Sequence, residues 1–298
     1  MINVKTLVLA AAIAMPSIAS AQTSASTVLS PQGPTLGSKP GVSETVRDPQ
    51  SSRSTITLDR SEVNQTGVTE SAFGSALGYA DLATGRIGAD AVAGANTLAR
   101  AETGWSDTIF FNIANASAST TTDILLRLAV SGTLQSVGGG ASADYRLFAG
   151  TGNLLLQRSL GSNPGTPEVF NLTQTGFTSF EHYTENNTTF ILAGLRLTGA
   201  AQRLELSSSL TVAAQASHFA NSNPASASAR FGNTAVFNFD LPSNVTFTSA
   251  SGVFLSAASP VGAVPEPSTW AMMLLGFGAI GFAMRRSRKN NVRVRFAY

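Results

Sequence analysis

Few stretches of this chain offer residue types that could do chemistry. Glu181-His182-Tyr183-Thr184-Glu185 sets a histidine between two carboxylates, the donor types of a metal site. The only other histidine is His218, and no second histidine stands at helical spacing from His182, so the segment is expected to be a solvated loop. Asp107, Asp123, Asp144 and Asp240 supply oxygens that suit Ca²⁺, yet no D-x-D-x-D-G loop gathers them, and they read as charge on turns. Serines are plentiful, but no G-x-S-x-G elbow marks a nucleophile, and Cys is absent. Paired carboxylates for glycoside hydrolysis would come from separate strands and leave no spacing to read. The expectation is therefore no catalytic residue, no metal and no cofactor. Trp105 could serve as a stacking platform for a sugar, but its neighbours Phe110 and Phe111 favour a place in the core. Near the C-terminus, GFGAIG at Gly276–Gly281 matches the G-x-G-x-x-G dinucleotide fingerprint.

The elements that would position these residues read as strands. Ile109, Phe111 and Ile113 alternate with Phe110 and Asn112. Ile124, Leu126, Leu128 and Val130 stand opposite Arg127, and Ile191, Ala193, Leu195 and Leu197 opposite Arg196. Leu204 and Leu206 flank Glu205, Phe237, Phe239 and Leu241 oppose Asn238 and Asp240, and Val245 and Phe247 alternate with threonines. Period two with one wet face is the signature of a half-buried strand. Ser131-Gly132, Gly138 to Gly140, Gly150-Thr151-Gly152, Thr198-Gly199 and Ser251-Gly252 punctuate them. The fold class is all-β, an antiparallel β-sandwich or jelly roll over residues 54–260. Residues 22–53, rich in Ser, Thr, Pro and Gly with no apolar period, read as a disordered linker.

Composition narrows the partners. Charged residues make up 12% of the 298, about half the usual share. Between Gln22 and Val264 there are 12 basic and 16 acidic residues, a net of −4. The overall +2 comes from Lys5 and the last 14 residues, so the body carries no basic patch and no nucleic-acid partner is expected.

The two ends carry addresses. Lys5, an apolar run from Leu7 to Met15, Pro16 and the small-x-small Ala19-Ser20-Ala21 before Gln22 read as a signal peptide over residues 1–21. Signal peptidase and Sec-type export machinery are the implied partners. GFGAIG lies inside Trp270–Met284, which has no charge and is followed within five positions by Arg285, Arg286, Arg288 and Lys289. A dinucleotide site needs a strand, a helix, a second strand and an acidic residue about 20 positions on, for which the chain leaves no room. The physical reading is a short membrane helix over 270–284, about 22 Å long, with the basic cluster as its stop-transfer signal. Pro265 and Pro267 hold Glu266 extended just before it.

Pro265-Glu266-Pro267, Trp270-Ala271, the apolar helix and the Arg cluster together resemble the PEP-CTERM sorting domain. The resemblance covers Val264 to Lys289, within a sorting segment of residues 261–289. It implies recognition by an exosortase, a membrane-embedded cysteine transpeptidase that cuts at the PEP region. It also implies a Gram-negative host that makes exopolysaccharide, an inner-membrane anchored intermediate, and a final place at the cell surface or in the extracellular matrix. The basic extension 290–298 departs from the pattern, whose members stop soon after the cluster. GWSDTIFF at Gly104–Phe111 and the stretch Asn233–Ser256 loosely resemble the secreted bodies of such proteins. The expected function is an exported, non-catalytic envelope or matrix protein whose Ser/Thr/Asn faces meet exopolysaccharide. A secreted glycan-active enzyme and a self-associating adhesin are the alternatives.

Overall fold

A computed structural model describes residues 21–32, 40–63, 69–161, 166–216 and 225–257. Every regular element among the described residues is a strand. In chain order they are β1 (Gln22–Pro31), β2 (Val42–Asp48), β3 (Ser51–Val63), β4 (Thr69–Asp81), β5 (Arg86–Ala93), β6 (Thr97–Ile113), β7 (Thr121–Ser131) and β8 (Thr133–Val137). They continue with β9 (Gly139–Ala149), β10 (Gly152–Leu160), β11 (Val169–Thr175), β12 (Ser179–Glu185), β13 (Thr188–Thr198), β14 (Ala201–Ala216), β15 (Ser226–Asp240) and β16 (Val245–Ser249). The signal segment through Ala19, the sorting segment, its helix 270–284 and the extension 290–298 lie outside the described residues.

Two antiparallel sheets form. The first runs β11-β10-β9-β14-β6-β1-β2, and the second β12-β13-β7-β15-β5-β4-β3. Strand β6 is long enough to pair with β1 along residues 97–106 and with β16 along residues 109–113 on the same edge. Strand β15 likewise takes β8 and then β7. The bend between β7 and β8 falls at Gly132, where a side chain would run into the Phe231 ring. Its carbonyl accepts a 2.9 Å bond from Arg158 Nη1. Arg158, nearly buried, also pairs with Glu168 and sets its guanidinium 5.4 Å from the Phe231 ring centroid. One arginine thus ties β10, the bend and the residue ahead of β11 together.

The sheets pack face to face around one core. Alternation puts Ile124, Leu126, Leu128 and Val130 inside on β7, and Leu204, Leu206, Leu210 and Val212 inside on β14. At one end Trp105, Phe111, Phe237, Phe239, Phe247 and Phe254 pack edge-on and tilted, with centroids 5.1 to 6.5 Å apart. Where β4, β5 and β6 face each other the inner residues are mostly alanine, with Gly78 and Thr103, and the sheets come close. A Cβ at Gly78 would lie 2.5 Å from Thr103 Cγ2 in the opposite sheet.

The linker expected over 22–53 is overturned. Its described residues, 22–32 and 40–53, include β1, β2 and the start of β3. In β1 the inward residues are Thr23, Ala25, Thr27 and Leu29, all fully buried. Thr23 Oγ1 and Ser52 Oγ lie 2.7 Å apart across the sheets, and Thr27 Oγ1 and Ser54 Oγ 2.6 Å apart. Ser54 also donates to Glu44 Oε2 at 2.7 Å. The polarity that suggested disorder is a buried, mutually satisfied hydroxyl set. Strands β4 to β6 run through the Ala-rich stretch Tyr79–Ala101, where three glycines favoured strand or loop over helix.

Leu29→Ala should cost about 3 kcal/mol in chemical denaturation, because Leu29 is a fully buried core side chain; an unchanged midpoint would mean that β1 is not part of the fold. Burial pushes the Tyr145 phenol well above its ordinary range, opposed more weakly by the Ser208 hydroxyl that donates to it at 2.7 Å. A raised folded pKa gives stability that is complete below the unfolded value of about 10 and lost as pH rises above it. The alkaline fall in melting temperature beyond about pH 10 should therefore be smaller in Tyr145→Phe than in the parent. Parallel falls would contradict this.

Candidate functional site

His182 lies on a strand, β12, and not in a loop. Its ring stacks on Phe170 of β11 at 6.4 Å and tilts against Phe180 at 5.9 Å. Strand alternation turns Glu181 and Glu185 to the opposite face from His182, so the three donors do not converge. Among the described residues no three potential metal ligands gather. His218 lies outside the described residues.

The four aspartates are also on strands rather than turns. Asp123 accepts two 2.9 Å bonds from Arg196, which hold its carboxyl below the usual carboxylate range. Asp240 accepts from Arg127, and Asp144 from Gln157. Asp107 is buried in β6 and accepts from Thr108 N–H at 2.7 Å, Ser251 Oγ at 2.5 Å and Ser251 N–H at 3.3 Å. It fastens the turn after β16 to the sheet. Trp105 is 3% exposed and edge-on to Phe237 and Phe254, so it belongs to the core. Its indole N–H is buried without an acceptor.

A trough crosses the outer face of the first sheet, and a separate depression of about 580 Å³ lies beside Gln135, Ser136, Val137 and Arg230. Register sets Arg47, Ser24, Gly104, Ser209 and Arg146 side by side on β2, β1, β6, β14 and β9. The next row is Gln22, Ser106, Ser207 and Phe148. Gly104 leaves the floor open, and a Cβ there would stand 2.6 Å from the Ser208 carbonyl oxygen. Two adjoining depressions of about 320 and 280 Å³ result, sharing Ser106 and Ser207. The hydroxyls of Ser24, Ser106, Ser207 and Ser209 have no hydrogen-bond partner among the described residues. Phe148, 44% exposed, walls the second depression. Asp107 and Glu205 border it too, but Asp107 is turned to the core and Glu205 outward to Arg203, so they make no facing carboxylate pair. The trough offers donors and acceptors on a rigid sheet beside one exposed ring.

Sequence reasoning missed the trough because its residues come from five strands and are mostly serine. The signal it could have used is the run Ser207-Ser208-Ser209 beside Gly104, but their pairing is not visible in one dimension.

Of the residues assigned to signal cleavage, Ala21 immediately precedes β1, and Gln22 opens β1 opposite Ser106. Ala19 lies outside the described residues, as do Pro265, Glu266, Pro267, Trp270, Ala271, Arg285, Arg286, Arg288 and Lys289. No curated protein and no solved structure matches the chain. Residues 263–289, which contain all nine of those C-terminal residues, match the PEP-CTERM protein-sorting motif, and the chain is an exported protein carrying that motif as its sorting signal.

Proposed function

We propose that this is a non-catalytic surface or matrix protein, processed by an exosortase, whose body holds exopolysaccharide in the trough on the first sheet. The observation that carries the reading is the pair of adjoining depressions lined by four serine hydroxyls without partners among the described residues. Sugar hydroxyls can satisfy such groups directly or through water. Phe148 offers an apolar ring against which a pyranose face can rest. Each contact is weak, and a polymer multiplies them.

Delivery follows from the tail. Signal peptidase removes residues 1–21 during Sec-type export, the 270–284 helix holds an intermediate in the inner membrane of a Gram-negative cell, and the exosortase cuts near Pro265-Glu266-Pro267. The body then stays at the surface or in the matrix. Among the described residues no carboxylate pair faces the trough, which favours holding a glycan over cleaving it.

Intact mass of the protein recovered from the host surface or medium should begin at Gln22 and end near Pro267, plus any attached group. A mass running to Tyr298 would mean that the tail anchors the protein without being cut. Retention on the host's own exopolysaccharide should fall several-fold in Ser106→Leu/Ser207→Leu, which fills the trough, while surface substitutions of this kind leave stability within about 0.5 kcal/mol. Equal retention would remove the trough from the function.

A further inference from the structure

One residue of the trough has a backbone nitrogen whose character changes when the chain is cut. Gln22 opens β1 and turns outward with Ser24 and Ser26. It is exposed, stands opposite Ser106, and lines the first depression with Ser24, Arg47, Ser106 and Ser207. Its side-chain amide has no hydrogen-bond partner among the described residues. Thr23, the next residue, is fully buried, donates to the Asp48 carbonyl at 2.7 Å and lies 2.7 Å from Ser52 Oγ. Strand β1 is thus anchored from its second residue onward, while its first side chain is free to turn.

Ala19-Ser20-Ala21 closes the segment read as a signal peptide, so Gln22 becomes the first residue once that segment is removed. In the uncut chain its nitrogen belongs to a peptide bond, where resonance withdraws the lone pair. After the cut it is an α-amine with an ordinary pKa of about 7.7–8.0, so a share of it is uncharged and nucleophilic at neutral pH. Glutamine sets an amide carbon where it closes an unstrained five-membered ring on its own α-nitrogen, and such intramolecular attack is strongly favoured by proximity. Asparagine would have to close a four-membered ring, and the carboxylate of glutamate is a poor electrophile.

We infer that the mature chain begins with pyroglutamate, formed by attack of the Gln22 α-amine on its own Cδ. The N–Cδ bond forms and the Cδ–Nε2 bond breaks. The leaving nitrogen takes a proton from the attacking amine and departs as ammonia, so the step needs no oxidant, reductant or co-reactant. The inference rests on residues 1–21 being removed as a signal peptide and on the trough holding a glycan, and it adds the chemical state of the trough's end.

The lactam suits its place. Its ring nitrogen keeps one N–H and its Cδ keeps the carbonyl oxygen, so a neutral donor and a neutral acceptor stand beside the Ser24 and Ser106 hydroxyls. A free α-ammonium would instead add a second cation near Arg47, the diagonal neighbour of Gln22 on β2, whose Cβ is about 8 Å away. Asp48, opposite Thr23, is the carboxylate on this edge, and its Oδ1 already accepts from the Gln50 and Ser51 N–H groups. Of the described residues lining the depression, Arg47 alone is charged. Cyclisation keeps it so, and it leaves aminopeptidases no amine to grip at the start of β1.

The test uses protein recovered from the host surface or medium. An amine-selective label is added on recovery, before digestion, so that cyclisation during handling cannot imitate the result. The tryptic peptide Gln22–Arg47, which stays whole because Pro40 follows Lys39, should be unlabelled at its first residue and lighter than its composition requires by about 17 Da, the mass of ammonia. The same peptide from Gln22→Glu or Gln22→Ala should carry the label and show no loss of ammonia, with an unchanged melting temperature because the side chain is exposed and has no partner to lose. A labelled Gln22–Arg47 peptide of full mass in the parent overturns the lactam and leaves the signal cleavage standing. A chain that starts at any other residue overturns both. A lactam at Gln22 on a protein that is not retained on host exopolysaccharide would sink the glycan reading of the trough and leave this inference intact.

Discussion

The closeness of the two sheets is the constraint on which the rest of this body depends. Where β4 crosses β6, Gly78 faces Thr103 with too little room for one additional carbon. Around that point the inner faces are built from Ala72, Ala76, Ala80, Ala89, Ala91, Ala93, Ala99 and Ala101, all essentially without exposure. Small residues bury little apolar area each, so stability must come from the number of strands and from tight contact. Six large aromatics cluster at the end of the core around Trp105 and Phe237, and Tyr145 and Phe231 are buried apart from them. The chain has no cysteine to staple the sheets. Arg158, Asp107 and the hydroxyl pairs between β1 and β3 take up that task at three separate places.

The same constraint decides what could be read in advance. Strands whose inner residues are Ile, Leu, Val or Phe, such as β7, β13 and β15, announce themselves by period two. Strand β1 has the same period, but its inward residues are Thr23, Ala25, Thr27 and Leu29, and only the last is large. Its hydroxyls are satisfied across the sheets by Ser52 and Ser54, partners more than 25 positions away. A local window cannot tell such a strand from a Ser/Thr-rich linker. His182 misled for a related reason. Strands β11 and β12 are edge strands exposed on both faces, so neither shows an apolar side to mark it. The sorting motif lay at the other extreme. It is contiguous, so its span could be read from the sequence as residues 264–289, against the matched 263–289.

Function divides along the same line. The address is linear and is legible as a contiguous string of residue types over residues 263–289. The body's faces are assembled from strands that are neighbours only after folding. Gly104 and Ser209 are 105 positions apart yet adjacent in register. Gly88 and Tyr79 meet across a hairpin. In each case a glycine on one strand decides what its neighbour does: it opens the trough floor in the first sheet and lets a ring lie flat in the second. The glycine content that looked like a signal for loops is used inside strands to shape surfaces.

Charge completes the argument. A protein with so few charged residues gains little from isolated surface ion pairs, because each contributes only about 0–1 kcal/mol. Pairs such as Arg127 with Asp240 and Arg196 with Asp123 nevertheless lie across neighbouring strands of the second sheet, where they hold register and leave no net field. The arginines left without carboxylates are distributed differently. Arg47 and Arg146 stand at the two ends of one trough row, while Arg86 faces Asp81 and Arg230 faces Asp90 across neighbouring strands with no hydrogen bond between them among the described residues. An unpaired guanidinium in water is not costly, but on a surface otherwise made of serine and threonine it is the group an anionic ligand meets first.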